Sequence, residues 1–475
     1  MNNPDESKTS ILVAIASHGT FNDRYLAQVV KEYRSMPFRV DIVVLSNIHK
    51  DVGPGVEIVV GLPTNDPWSL PFGHKKIFAE RLNHYDLFLY SEDDILITER
   101  NIRAFLRASK VLPDDEVAGF FRFEVGPDGK MYFPEVHATH HWDIGSVRVR
   151  GEYTLGFFTN EHSACYLLTR QQLQRAIASG GFLVGPHRDK YDLLCTAATD
   201  PYTQCGFKKL ICLSHLQDFL VRHLSDKYLS RMGTAETEVR RQIEVLLGLG
   251  RNGHARSSLF PTQTRLIGDR FSKNYYEPVL AEIIAAIPDG ARNVLSVGCG
   301  WGATEVFLAE KGLCVTAIPL DPVIPGAAKA KGVKIVEGDF KTARAQLAEE
   351  RFDCLLLSNI LHLVEKPVEV LSSFSDLLCD QAWVVAVLPN LLKLSIIWKK
   401  YLGREGLADL GDYQKTGVHF TSRGVARKWF QSAGLRIENF TNILPRRAET
   451  PSRLALGLMD SFLASEFVAS ARKAP

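Results

Sequence analysis

The sequence lacks the cysteine pairs and the long apolar runs that mark zinc-binding, disulfide-bonded or membrane-spanning proteins. Its eight cysteines include no CxxC pair and lie in apolar settings such as SACYLL, which predicts reduced structural thiols and no zinc site. The longest apolar stretch, AWVVAVLPNLLKLSIIWKK, is interrupted by Pro389, Asn390 and Lys393. That pattern is typical of a strand followed by an amphipathic helix rather than of a transmembrane segment.

A strong charge of one sign is also lacking, as are internal repeats and low-complexity segments. The formal net charge is +2 over 475 residues, so we expect no nucleic-acid partner. The first ten residues, MNNPDESKTS, are polar and contain acids, which is not typical of a signal peptide. We therefore expect a cytoplasmic protein.

Two alternating strand–helix patterns predict an α/β protein with two Rossmann-like domains, each built on a parallel sheet. The first pattern has strands at SILVAIASHG, RVDIVVLSN, VEIVVGLP and YDLFLYSEDD, and becomes irregular from about residue 110 to 228. The second has strands at NVLSVGCG, CVTAIPLD, VKIVEGD, FDCLLLSN and AWVVAVLP. The turn-rich segment between them predicts a first domain at 1–250, a linker at 251–262 and a second domain at 263–475.

A glycine-rich loop in the second pattern indicates a cofactor site. Gly298, Gly300 and Gly302 follow a predicted strand directly and precede a helix, where glycine allows a sharp turn and a close backbone approach. Asp321 ends the next strand and Asp339 ends the third. These carboxylates are candidates for ribose and adenine contacts. The loop lacks the G-x-G-x-x-G spacing of a nicotinamide-binding domain.

At these residues the second half resembles class I S-adenosylmethionine-dependent methyltransferases, over roughly residues 265 to 475. The resemblance implies a doubly wound sheet that binds S-adenosyl-L-methionine through Gly298, Gly300, Gly302, Asp321 and Asp339. The sequence departs from the family's pattern at two places. Ser296 stands where the family usually has an acid, and Pro319 stands where it has the ribose-binding acid. A Rossmann-like domain that has lost cofactor binding is the alternative.

Methyl transfer to a hydroxyl needs a base to accept the proton. His362 follows the fourth strand of the second pattern, so it is the first candidate, and His419 is the second. Each of them is equally well explained as a packing or hydrogen-bonding histidine.

Three carboxylates in the first half, Glu92, Asp93 and Asp94, end an apolar strand. Crowded acids repel one another unless cations or donor groups lie nearby. Glu92 and Asp94 have an E-x-D spacing, which resembles the D-x-D motif of GT-A glycosyltransferases. The resemblance covers roughly residues 8 to 228 and implies a bound Mn²⁺ or Mg²⁺ that holds the diphosphate of a nucleotide-sugar. It also implies a late histidine ligand, for which His223 is preferred over His215.

The acceptor side of the resemblance leaves the catalytic acid open. Inverting members usually carry a Glu-Asp pair, but here the segment reads Asp189, Lys190, Tyr191, Asp192. Asp192, Asp189 and Glu161 all remain candidates, and inversion or retention is undecided. One of Lys75 and Lys76 is a candidate for a diphosphate contact, and a solvated lysine pair is as good an explanation.

Together, these resemblances imply a bifunctional transferase. Its first domain would transfer a sugar from a nucleotide-sugar donor, and its second would methylate a glycan, glycolipid or related hydroxyl. One alternative is a methyltransferase whose first domain binds a sugar nucleotide or glycan without catalysis. Another is a non-catalytic glycan-binding scaffold.

Overall fold

The protein is described by a computed structural model for residues 9–229, 231–252, 258–445 and 460–473. The chain forms two compact units, Met1–Ala255 and Arg256–Pro475. Leu259 and Phe260, which the sequence placed in the linker, are buried in the core of the second unit. The N–H of Leu259 donates to the carbonyl of Leu320 at 2.7 Å. The last part of the predicted linker therefore belongs to the second unit.

The first unit contains fourteen strands and six α-helices among its described residues. The strands are β1 Ser10–Ala16, β2 Arg39–Ser46, β3 Val56–Val60, β4 Leu87–Glu92, β5 Ile95–Leu96, β6 Glu116–Gly119, β7 Phe121–Val125, β8 Met131–Phe133, β9 Trp142–Arg150, β10 Tyr153–Phe158, β11 Cys165–Thr169, β12 Lys208–Cys212, β13 Leu220–His223 and β14 Thr234–Ala235. The helices are α1 Asp23–Ser35, α2 Gly73–Glu80, α3 Glu99–Ser109, α4 Arg170–Ala178, α5 Leu193–Thr203 and α6 Glu236–Asn252.

The central sheet of this unit has the strand order β11-β4-β1-β2-β3. Strands β1 to β4 are parallel, as predicted, and β11 adds to β4 in antiparallel orientation. Every residue of β1 is buried, because helices cover both faces of a parallel sheet.

The region that the sequence left irregular forms two further sheets, with orders β6-β12-β10-β9 and β14-β8-β7-β13-β5. Both contain parallel and antiparallel pairs. Several of their short strands pair across long sequence distances, such as β6 with β12 and β7 with β13. Local periodicity does not reveal such pairs.

The second unit forms one seven-stranded sheet. Its strands are β15 Asn293–Cys299, β16 Cys314–Pro319, β17 Lys334–Ile335, β18 Phe352–Ser358, β19 Leu378–Pro389, β20 Leu435–Ile443 and β21 Glu466–Lys473. The α-helices are α7 Ala281–Ala286, α8 Ala303–Glu310, α9 Gly326–Ala330, α10 Phe340–Gln346, α11 Pro367–Ser375, α12 Leu394–Tyr401, α13 Tyr413–Thr416, α14 Arg423–Ser432 and α15 Asp460–Leu463.

The sheet order is β17-β16-β15-β18-β19-β21-β20, and β21 alone runs antiparallel to its neighbours. The chain winds outward from β15 to β17 and then crosses to β18 on the other side of β15. This reversal creates a crevice at the carboxyl ends of β15 and β18, which is where doubly wound sheets bind ligands. Among the described helices of either unit, none has the length and apolar character needed to cross a bilayer.

Candidate functional site

The glycine loop lies at the carboxyl end of β15, beside this crevice. Gly298 and Gly302 have φ values of 80° and 86°, a left-handed conformation that glycine adopts without a steric penalty. Gly302 is also the residue from which α8 begins. The loop therefore turns the chain from strand to helix within a few residues, as the sequence predicts.

The backbone of the glycine loop lies close to another segment of the protein's own backbone, at Tyr275. A Cβ at Gly300 would lie 2.3 Å from the carbonyl oxygen of Tyr275. That oxygen accepts a hydrogen bond from the N–H of Trp301 at 2.9 Å. Likewise, a Cβ at Gly298 would lie 2.6 Å from Cγ2 of Ile360. Gly298 and Gly300 are thus needed to pack neighbouring segments against the loop, a role that the sequence did not indicate.

A buried carboxylate lies beside Ser296, the position where the usual acid of the resembled family is missing. Glu305, in the first turn of α8, is buried, and its Oε1 accepts a hydrogen bond from the Ser296 hydroxyl at 2.6 Å. Sequence reasoning missed Glu305, although its place in the first helical turn after a glycine loop is a usable signal.

Asp321 lies two residues beyond the end of β16, and its side chain is turned into the protein. It is buried, and its Oδ1 accepts hydrogen bonds from the N–H groups of Val323 and Ile324 at 2.7 and 3.0 Å. Burial raises the pKa of Asp321 to about 6. The observed contacts are those of a residue that stabilises a turn, and its role toward ribose stays a prediction.

Asp339 is exposed at the start of α10. Its Oδ1 accepts a hydrogen bond from the N–H of Thr342 at 2.7 Å, which caps the helix. This backbone hydrogen bond lowers the pKa of Asp339. The adenine contact proposed for this residue is likewise untested.

A polar cluster at the carboxyl ends of β18 and β19 was not found from the sequence. The buried ammonium of Lys273 donates to Glu277 Oε2 at 2.6 Å and to the carbonyl of Ser358 at 2.7 Å. The side-chain amide of Asn359 donates to Glu277 Oε1 at 3.3 Å and to Glu466 Oε1 at 2.8 Å. Glu277 and Lys273 lie outside the recognisable motif, so their position could not be read from spacing.

This cluster has two features that suit a cationic ligand. Burial, together with the charge of Glu277, raises the pKa of Glu466. With both carboxylates ionised and one lysine, the cluster carries a net negative charge. In addition, Oδ1 of Asn359 is buried and has no hydrogen-bond partner within the described structure. An unpaired buried acceptor is unfavourable in free energy, and a donor group of a ligand would remove that penalty.

His362 is buried near the same edge. Its Nε2 lies 2.8 Å from the carbonyl of Phe271, and a carbonyl only accepts, so Nε2 carries the proton. Nδ1 is then a buried acceptor that lacks a hydrogen-bond partner in the described structure. Burial lowers the pKa of His362 to about 3, which makes it a weak base at neutral pH. His419 stacks on Tyr413, and its Nε2 lies 3.1 Å from the carbonyl of Val364.

In the first unit, Asp93 is held by donor groups of the β1–α1 loop. Its carboxylate accepts hydrogen bonds from the Ser17 hydroxyl at 2.6 Å and from the Asn22 amide at 2.7 Å. The register between β1 and β4 brings this loop close to Asp93, because Ala16 at the end of β1 lies opposite Glu92 at the end of β4.

Asp94 and His223 do come together, as the sequence predicts, but they bond to each other. Strands β5 and β13 pair antiparallel and place His223 beside Ile95. His223 Nε2 lies 3.1 Å from Asp94 Oδ2, and Nδ1 lies 2.5 Å from Glu124 Oε1. Burial alone would lower the pKa of His223, but these two carboxylates raise it. Burial would raise the pKa of Asp94, but His223 and Lys227 bring it down to about 2.

The predicted Mn²⁺ or Mg²⁺ site at Glu92, Asp94 and His223 therefore finds no support in the geometry. Among the residues that the structure describes, no three or more His, Cys, Asp or Glu side chains are arranged to hold a metal ion. The physical reason is that both ring nitrogens of His223 are already occupied by carboxylates. Glu92 is not part of the triad formed by Asp94, His223 and Glu124. Burial, together with the charge of Asp94, raises the pKa of Glu92 to about 7.

The three candidate catalytic acids of the first unit all have local partners. Glu161 accepts from Lys190 Nζ at 3.1 Å, and Asp189 accepts from the Gln204 amide at 3.0 Å. Asp192 caps α5 by accepting from the N–H of Cys195 at 2.9 Å. Their catalytic roles stay predictions.

Comparison with known proteins gives matches to methyltransferases. The family described as methionine biosynthesis protein MetW matches residues 278–449. The chain is 27% identical over 198 residues to ubiquinone biosynthesis O-methyltransferase of Xanthomonas axonopodis pv. citri (strain 306), which covers 39% of this chain and 81% of that protein.

Two solved structures give similar but distant matches. An S-adenosylmethionine-dependent methyltransferase from Mesorhizobium loti has 19% identity, covers 40% of this chain and 95% of its own, and has a TM-score of 0.30. A possible histamine N-methyltransferase from Thermotoga maritima has 15% identity, with 40% and 86% covered and a TM-score of 0.30.

The C-terminal region therefore matches class I S-adenosylmethionine-dependent methyltransferases. The doubly wound seven-stranded sheet of that region has a Rossmann-like α/β fold. The family match lies wholly within the second unit. These comparisons give no support to the GT-A glycosyltransferase expected for the first unit, whose described fold is α/β with additional mixed sheets.

Proposed function

We propose that the second unit binds S-adenosylmethionine and transfers its methyl group to a hydroxyl of a glycan or related small molecule. The observation that carries the proposal is the cluster of Lys273, Glu277, Asn359 and Glu466, which brings two carboxyl groups and one ammonium group to the crevice of the doubly wound sheet. S-adenosylmethionine carries an ammonium and a sulfonium group, and it supplies an electrophilic methyl group when bound. A cation with donor groups fits both the charge of the cluster and the unpartnered oxygen of Asn359.

Residues of the glycine loop, of α8 and of the polar cluster would bind the cofactor, and His362 would contact the substrate. The glycine loop and α8 would form one wall of the site, and the carboxylates of Glu277 and Glu466 would attract the ammonium group. Asn359 would orient that group by accepting a hydrogen bond. His362 would accept a hydrogen bond from the substrate hydroxyl through its unpartnered Nδ1. As the hydroxyl oxygen gains the methyl group, its proton would pass through Nδ1 to solvent water, because the low pKa of His362 prevents the ring from retaining it. Positioning would then supply much of the rate acceleration.

Calorimetric titration with S-adenosylhomocysteine tests this assignment. The intact chain should bind with one-site stoichiometry. Glu277→Gln should weaken binding about tenfold or more, because it removes a charge-assisted interaction. Glu310→Gln is the matched control, since Glu310 is exposed at the far end of α8 and its carboxylate pairs with Lys331 at 3.4 Å. Absence of binding, or equal affinity in both variants, would refute the proposed site.

We infer for the first unit a ligand-binding role without catalysis. Three buried oxygens at the carboxyl edge of its central sheet have no hydrogen-bond partner in the described structure: Oδ1 of Asn22, Oε1 of Glu92 and Oδ1 of Asp94. All three are acceptors when the acids are ionised, so they suit the hydroxyl donors of a sugar. We therefore favour a glycan, or the sugar part of a nucleotide-sugar, over a bare diphosphate.

Ligand-observed NMR with a panel of monosaccharides and nucleotide-sugars, with and without MnCl₂, tests this role. Asp94→Asn should reduce saturation transfer to sugar protons, and Asp114→Asn, an exposed carboxylate, should not. Binding that requires Mn²⁺ would restore the metal assignment and reject the metal-free site. Failure of every sugar to bind would reject the role itself.

A further inference from the structure

Helix α12 displays an apolar stripe that the fold does not cover. Leu394, Trp398, Tyr401 and Leu402 are 49%, 64%, 85% and 41% exposed. These positions recur at intervals of three and four residues, so the side chains share one face of the helix. Leu392, just before the helix, is also exposed, at 42%. We call Leu394, Trp398, Tyr401 and Leu402 the α12 face.

The rest of the fold holds this helix in place from beneath. Leu391 is buried in a small cluster with Leu266, Leu407, Leu410 and Val418, and Ile396 packs against that cluster. The side-chain amide of Asn390 donates to the carbonyls of Ser461 and Ala464 at 2.8 and 3.1 Å. The helix is therefore already formed and oriented, and a partner would not have to pay for folding it.

The chemistry of the stripe and its surroundings favours a lipid surface. Tryptophan and tyrosine combine an apolar ring with a polar group, and they concentrate at the boundary between headgroups and acyl chains. The segment from Leu391 to Gly406 also carries Lys393, Lys399, Lys400 and Arg404 against one acid, Glu405. Apolar and aromatic residues on one face with flanking cations are typical of helices that lie in an anionic membrane interface.

We propose that the α12 face docks the protein peripherally on a bilayer that contains anionic lipids. The inference stands on exposed residues and charge, and it does not depend on the proposed methyl transfer. The helix follows β19 directly, at the same edge of the sheet as the glycine loop. Docking would therefore bring the crevice close to the lipid headgroups, where an amphiphilic methyl acceptor resides.

Vesicle co-sedimentation of the intact chain tests this proposal. The chain should sediment with vesicles of phosphatidylcholine and phosphatidylglycerol, more weakly with phosphatidylcholine alone, and less at high NaCl concentration. The double substitution Trp398→Ser with Tyr401→Ser should lower the partition coefficient at least about tenfold, because it removes two side chains that enter the interface. Lys393→Glu should weaken binding to the anionic vesicles more than about fivefold.

The matched control is Trp68→Ser, which removes a tryptophan that is 48% exposed in the first unit. It should leave sedimentation unchanged. Unfolding temperature and far-ultraviolet circular dichroism verify that the double variant is folded. The proposal is overturned if the intact chain does not sediment with anionic vesicles. It is also overturned if Trp68→Ser lowers the partition coefficient as much as the double substitution does. It is also overturned if light scattering shows a dimer that the double substitution converts to a monomer, because a second copy would then cover the α12 face.

Discussion

His223 lies inside the first unit with a carboxylate at each ring nitrogen. Because the charged imidazole can donate to both Asp94 and Glu124, the folded protein binds its proton more tightly than the unfolded chain does. The pKa of His223 is accordingly raised above 6.5, whereas that of Asp94 falls to about 2. The acid cluster at the end of β4 is thus neutralised by an internal cation.

This arrangement predicts how the free energy of unfolding changes with pH. A group whose pKa is raised on folding contributes stability below its unfolded pKa and loses it as the pH rises through the folded pKa. The contribution of His223 should therefore be complete below pH 6.5 and decline above it. That of Asp94 should be complete above pH 3.8 and decline toward pH 2. The His223–Asp94 pair contributes fully between about pH 4 and 6.5.

Two measurements check this prediction. NMR titration of the imidazole should give a midpoint above 6.5 for His223. Chemical denaturation between pH 6.5 and 8.5 should show a falling free energy of unfolding in the wild type and a flatter profile in His223→Gln. A His223 midpoint below 6.5 would mean that the ring is neutral, and the account of the triad would then be wrong.

Individual residues show where sequence reasoning succeeds and where it stops. The approach of His223 to Asp94 was predicted from the resemblance, but its bonding to Glu124 depends on the pairing of β5 with β13, which local sequence does not reveal. The sequence offers Lys75 as a candidate for a diphosphate contact. In the structure it is buried and forms an ion pair with the buried Asp200, so its charge is already compensated. No spacing rule links these two residues, which are 125 positions apart.

The strands and helices that carry strong periodicity were predicted well. The four parallel strands of the first unit and the five parallel strands of the second follow the sequence patterns closely. Strand β17 is shorter than predicted, with two residues. It pairs only with β16 at the edge of the sheet, where pairing rather than local pattern decides the length of a strand.

We predict opposite effects of alanine at two glycines, one in the turn from β15 into α8 and one in α14. Gly300→Ala should destabilise the second unit by about 1 to 3 kcal/mol, because its Cβ would overlap the carbonyl of Tyr275. Gly424→Ala should stabilise it by about 0.4 to 1 kcal/mol. This glycine lies in the first turn of α14, where a Cβ would meet only Ser422 Oγ, at 3.8 Å. Thermal unfolding measures both. Equal effects would show that the loop can move away from Tyr275.

At the level of the whole chain, we predict that the two units fold independently. Each has its own apolar core and its own central sheet. Fragments 1–255 and 256–475 should both be soluble and unfold cooperatively. A fragment that begins at residue 263 should be less stable, because it lacks the buried side chains of Leu259 and Phe260. Circular dichroism with thermal unfolding measures this. Equal stability of the two second-unit fragments would contradict the contribution assigned to residues 259 and 260.

The alternating patterns predict the parallel strands of both units, but they predict neither the two mixed sheets of the first unit nor the ligand of either unit. The methyltransferase resemblance was carried by the glycine loop and is supported by the family match to residues 278–449. The glycosyltransferase resemblance rested mainly on a short acidic motif, and buried acids can be compensated by histidine, serine and asparagine as well as by a metal. The structure shows those internal partners for Asp93 and Asp94.

Hydrogen–deuterium exchange of the intact chain, with and without S-adenosylhomocysteine, tests the central claim most directly. The claim is that the cofactor binds at the crevice between β15 and β18. We predict slower exchange in peptides that cover residues 296–303 and 357–362, and unchanged exchange in peptides of the first unit. Protection confined to the first unit, or no change in these two peptides at saturating ligand, would contradict it.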